Sequence, residues 1–115
     1  MAIIAQDFNR ISNLGDVRNF VNTYNRHDIF IFFSTYCGSS LGIHSKGNNT
    51  PATNNGIPDV RRIYGAGLKV LSGSASKVSA DTKYYADLIL KNISKVNFNI
   101  YTKLEAVLAY ICYTI

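Results

Sequence analysis

The residues that could do chemistry are few and far apart. There are two cysteines, Cys37 and Cys112, two histidines, His27 and His44, and seven acids. A zinc site needs three or four ligands at close spacing. His27 has only Asp28 beside it, and His44 sits in a Gly/Ser/Asn-rich stretch. Cys37-Gly38 follows an apolar run and could imitate a nucleophile turn. A lone cysteine, however, needs a base that the fold must deliver. The acids Asp7, Asp16, Asp28, Asp59, Asp81, Asp87 and Glu105 are well separated. Most fit helix caps or helix surfaces, and none forms a glycosidase-type pair. Gly65-Ala-Gly67 lacks the third glycine of a phosphate loop and follows a helical pattern rather than a strand. These residues predict no catalytic centre, no metal and no cofactor.

Arg61-Arg62 is the sharpest polar feature. On a helix opened by Pro58, the residues Val60, Ile63, Tyr64 and Gly67 take the buried face. The arginines then point outward and could anchor a carboxylate or phosphate on a partner. The same pair also reads as an ordinary solvated helix face. Tyrosines Tyr84, Tyr85, Tyr110 and Tyr113 are open between core and interface, since tyrosine buries area while keeping a polar tip. The residues expected to touch a partner are Tyr36, His44, Asn48, Arg61 and Arg62.

The net charge of +5 makes nucleic acid the first partner to weigh. Apart from Arg61-Arg62 the bases are scattered, so direct nucleic-acid contact is the lesser expectation. The low charged fraction favours surfaces that are easily desolvated against another protein. Two cysteines are too few for a disulfide framework. No secretion signal is expected in Met1–Asp7, which lacks a basic start. The apolar run 106–115 is too short to span a bilayer.

The elements that must position these residues are read from periodicity. At this length the chain is one domain, 1–115. Val17, Phe20, Val21 and Tyr24 mark a helix face, with Asp16 as its cap and Asn25-Arg26-His27 ending it. Asp28–Tyr36 is β-branched and aromatic, which predicts a strand buried on both faces. Residues 37–57 form a long Gly/Ser/Asn loop of the kind that docks on neighbours. Leu68–Leu71 finishes a helix or forms a short strand. Ala80-Asp81 opens a helix with Tyr85, Leu88, Ile89 and Ile93 on one face. Asn97–Tyr101 is a short strand or connector, and Lys103–Tyr113 a final helix. The expected fold is α+β: a short central sheet, three to four helices and one long loop.

Arg18–Tyr24, Asp28–Ser34, Thr50–Asn55, Asp59–Tyr64 and Gly67–Leu71 stand in an order that resembles the N-terminal region of a baseplate wedge subunit of T4-type contractile-tailed bacteriophages. That family runs from a short helix to an Ile-Phe strand, a Pro/Thr/Asn loop, a helix and a Lys-Val strand. Residues 86–115 lie outside the likeness, and the tryptophan expected after the first strand is absent. The resemblance implies a non-enzymatic virion protein of the tail or baseplate, made in the host cytoplasm. It would act by protein–protein contacts with other virion proteins, as an oligomer. The alternative is a small phage-encoded binding or inhibitor protein. That protein would capture a nucleotide, nucleic acid or host defence factor with Arg61, Arg62 and scattered lysines.

Overall fold

The structure, a computed structural model, describes residues 3–38, 60–93 and 98–115, with side chains at all of these except 60–62 and 101. Among them are six helices: α1 Ala5–Asn9, α2 Leu14–Thr23, α3 Arg26–Tyr36, α4 Val60–Ser72, α5 Ala80–Ile93 and α6 Ile100–Thr114. No described residue is in a strand. The expected α+β fold with a central sheet is therefore wrong for these residues, which form an all-helical domain.

The decisive correction is Asp28–Tyr36, which is helix α3 and not a strand. Its start is built by Asn25, whose side chain accepts the Asp28 amide at 2.8 Å. Asp28 adds a negative charge to the first turn, where the helix dipole favours it. Ile29, Phe32, Phe33 and Cys37 are buried at helical spacing. Ile31 and Tyr36 are exposed, so the run is apolar all round while only one side enters the core. Ser34 and Thr35 return their hydroxyls to the carbonyls of Phe30 and Ile31, inside the helix. Asn25→Ala removes the cap and should lower the unfolding free energy by about 1 kcal/mol. A chemical-denaturation midpoint identical to that of the parent would contradict the helical assignment.

Asparagine caps recur. Asn13 accepts the Asp16 amide at 2.9 Å, so Asn13 and not Asp16 caps α2. Asp16 instead accepts from the Ser12 amide and hydroxyl, tying down the incoming chain. Asn99 accepts both the Thr102 amide and its hydroxyl, which starts α6 where a short strand or connector was expected. Leu68–Leu71 continues α4 as helix, so the Lys-Val strand implied by the resemblance is absent as well. The long 37–57 loop lies outside the described residues beyond Cys37 and Gly38.

Helix α6 is the hub. Leu104 to Ala109, with Ile111 and Cys112, are all buried, because α2, α4 and α5 pack around it. An apolar run too short for a bilayer is thus the central helix of a bundle, and no described helix is long and apolar enough to cross a membrane. A second nucleus is aromatic. Phe8 on α1 lies 5.4–5.9 Å from the rings of Phe20, Phe32 and Phe33. Lys103 of α6 donates to the Asn9 carbonyl at 2.7 Å, a cation placed at the C-terminal end of α1.

Candidate functional site

Among the described residues no three His, Cys, Asp or Glu side chains gather where a metal ion could sit. Burial pushes the Cys37 thiol up to about 11 and the Cys112 thiol up to about 12. Both sulfurs are therefore protonated at neutral pH, the opposite of what an activated nucleophile needs. Cys112 instead packs under α4, with Sγ 3.9 Å from the Ile63 carbonyl oxygen.

Of the five residues expected to meet a partner, Tyr36 is described in full. It ends α3, stacks on Phe32 at 5.0 Å and meets the edge of Phe8. Its hydroxyl receives a hydrogen bond from the Asn9 amide at 3.2 Å, yet the residue is still exposed. Tyr36 thus closes the aromatic nucleus from outside. Arg61 and Arg62 belong to α4 by backbone, but their side chains, like His44 and Asn48, lie outside the described residues.

Several concave or exposed regions lie among the described residues. The first is a groove of about 260 Å³ between α1 and α2, over Ile11 and Phe20. Its polar groups already serve each other. Tyr24 donates a short hydrogen bond to Asp7, Arg10 lies 3.5 Å from the same carboxylate, and Asp16 is held by Ser12. The Asp7 bond is the main cause that raises the Tyr24 phenol above its ordinary value, with burial second.

The second region is the outer face of α5 and α6. Tyr84 is 61% exposed and Tyr113 49%, while Tyr85 and Tyr110 turn partly inward. Periodicity thus divides the four tyrosines into two of each kind. Tyr84, Asp87 and Lys91 follow one another along α5 at intervals of three and four, and Asp87 binds Lys91 at 2.8 Å. That bond, with the Asp87 charge, raises the Lys91 ammonium above its ordinary value; Tyr113 and Tyr84 add smaller contributions. Two exposed aromatic rings, one on each helix, thus accompany a surface ion pair. This is the composition of a contact surface, with broad rings that lose little entropy and a charge pair that sets orientation.

The third is a cleft of about 450 Å³ where the turn after α4 folds back against the start of α5. Gly73, at φ +85°, makes the reversal, a conformation glycine adopts without cost. The amides of Gly73 and Ala75 donate to the carbonyls of Val70 and Lys69. Ser79 then accepts the Thr82 amide and so begins α5. Lys69 and Lys77, one on each side of the reversal, line the cleft. Sequence reading missed this pair: the run Ser72-Gly-Ser-Ala-Ser76 signals a turn, but not that the residues on its two sides close on one cleft. The Asp87–Lys91 pair did have a signal, its i,i+4 spacing. Comparison with known proteins adds no guidance: no protein-family model, curated protein or solved structure matches the chain.

Proposed function

We propose that this chain is a structural assembly protein that works through protein–protein contacts, and that its partners are virion proteins of a contractile-tailed phage. The observation that carries the contact reading is the exposure of two large tyrosine rings, Tyr84 on α5 and Tyr113 on α6, together with the Asp87–Lys91 pair on α5. Large exposed tyrosine rings are the residue type that interfaces use as anchors. The phage context rests on the order of residues from Arg18 to Leu71. It no longer has the support of element type, since the two strands of that pattern are helices here.

The alternative, capture of nucleotide or nucleic acid, has less support. Lys91 is engaged by Asp87, and Lys103 by the Asn9 carbonyl, so two of the lysines already have structural tasks. Salt separates the two readings, because phosphate binding weakens steeply as salt rises.

Sedimentation velocity on the purified chain, alone and mixed with the products of its neighbouring genes, tests the proposal. Association at micromolar concentration that survives moderate salt is the expected result. The double variant Tyr84→Ser/Tyr113→Ser should weaken it at least about tenfold, the effect of losing one or two interface anchors. Its circular dichroism should be unchanged, since both rings are exposed. A strict monomer that binds none of these proteins would end the proposal.

A further inference from the structure

The α4–α5 cleft has a chemistry distinct from the tyrosine face. Its floor is aliphatic, formed by Ala66, Ala75 and Val78. Its rim is cationic and hydroxylic, with Lys69, Lys77 and Ser79. Neither ammonium makes an ion pair with a described residue. Asp81, in the first turn of α5, does not line the cleft. Two cations therefore face one hollow, and no carboxylate is among the described residues that line it.

The geometry points to this cleft as the binding site for an acidic, aliphatic peptide segment of a partner protein, an inference that rests on the protein-contact reading above. The floor receives a leucine- or isoleucine-sized side chain, and flanking carboxylates meet Lys69 and Lys77. Such a segment matches the cleft in both polarity and charge. A nucleotide matches it less well. No aromatic ring is among the described residues that line it, so a base would have no stacking platform. The volume suits one large aliphatic side chain with the backbone on either side, not a folded domain.

The probe is a capped Gly-Glu-Leu-Glu-Gly peptide titrated into the isotope-labelled full chain and followed by amide NMR. The expected result is saturable shifts confined to Ala66, Ala75, Val78 and their neighbours, weakening as salt rises. The glutamine version of the peptide, and a version with serine for leucine, should each bind at least about tenfold more weakly. Lys69→Met/Lys77→Met should cause a similar loss. A β-carbon added at Gly65 meets nothing within 4 Å. Gly65 is itself part of the cleft lining, so Gly65→Leu should crowd the cleft and block the peptide while leaving both lysines in place; a thermal melt confirms that this variant folds.

Shifts that are absent or dispersed, equal binding of the glutamine peptide, or unchanged binding by the double methionine variant would overturn the assignment. Tighter binding of adenosine monophosphate or inorganic phosphate than of the peptide would overturn it in favour of a phosphate site. The two proposals fail separately. If the chain assembles through Tyr84 and Tyr113 but ignores the peptide, the cleft assignment alone falls. If it binds the peptide but remains a monomer without partners, the assembly proposal falls.

Discussion

Phe8→Ala should lower the unfolding free energy by about 3–5 kcal/mol, the range for deleting a fully buried aromatic ring. Phe8 is completely buried although it belongs to a helix of only five residues. So short a helix has almost no stability of its own. It is held by what Phe8 touches: Phe20 of α2, and Phe32, Phe33 and Tyr36 of α3. Several of these contacts are edge-on or tilted, arrangements that aromatic quadrupoles favour. The alanine variant leaves a cavity at the meeting point of three helices, and α1 loses its anchor. Differential scanning calorimetry should show the melting temperature fall by roughly 10–20 °C, given the usual conversion for domains near this size. Tyr36→Phe provides the contrast. It keeps the ring stack on Phe32 and removes only the exposed hydrogen bond with Asn9, so its cost should stay below about 1 kcal/mol. Comparable losses for the two variants would mean that Phe8 is not the centre of this nucleus.

The aromatic nucleus also explains why α3 misleads a reader of the sequence. Ile29 to Phe33 are consecutive apolar residues rich in β-branched and aromatic types, the signature of a buried strand. The helical signal lies in the same residues: Ile29, Phe32, Phe33 and Cys37 share one face. Exposed Ile31 and half-buried Phe30 obscure it by being apolar off that face. Tertiary packing on α1 and α4 overrides local propensity here. Where the outer face is polar, as on α2 and α5, periodicity is sufficient, and it also finds part of α6, which is buried on nearly all sides. Val17 and Phe20, Ile89 and Ile93, and Leu104, Val107, Leu108 and Ile111 are buried as their spacing requires. Tyr24, Val21, Tyr85 and Leu88 border the same faces and are half-buried. The contact surfaces were less legible. Tyr84 and Tyr113 could be named as candidates, but their exposure depends on how α5 and α6 cross. The turn at Gly73 is legible in the run Ser72-Gly-Ser-Ala-Ser76, but the cleft that brings Lys69 and Lys77 together depends on how closely α5 returns to α4. Glu105, one of the scattered acids, is completely buried within the hub helix, a placement that spacing alone gives no reason to expect.

Two glycines on α4 provide the other large effect, and they should respond in opposite directions. Gly67 faces α6. A β-carbon there would lie 2.9 Å from Leu108 Cδ2, 3.1 Å from its Cβ and 3.4 Å from its carbonyl oxygen. Carbon atoms in good contact sit about 3.5–4.0 Å apart. A rotamer change could move Cδ2, but the Cβ and the carbonyl travel with the α6 backbone. Leu108 is itself fully buried in the hub, so its side chain has little room to yield. Gly67→Ala must therefore push α4 and α6 apart, at about 1–3 kcal/mol for overpacking. Alanine's helix propensity returns about 1 kcal/mol at most, so the net loss should reach up to about 2 kcal/mol. Gly65, two residues earlier, faces open space, and Gly65→Ala should gain about 0.5–1 kcal/mol from propensity alone. Equilibrium denaturation of both variants under one set of conditions isolates the packing effect, because propensity contributes equally to each. A separation of about 1–3 kcal/mol is expected. If the two variants changed stability alike, the close crossing of α4 and α6 at Gly67, on which the placement of the hub helix depends, would be wrong.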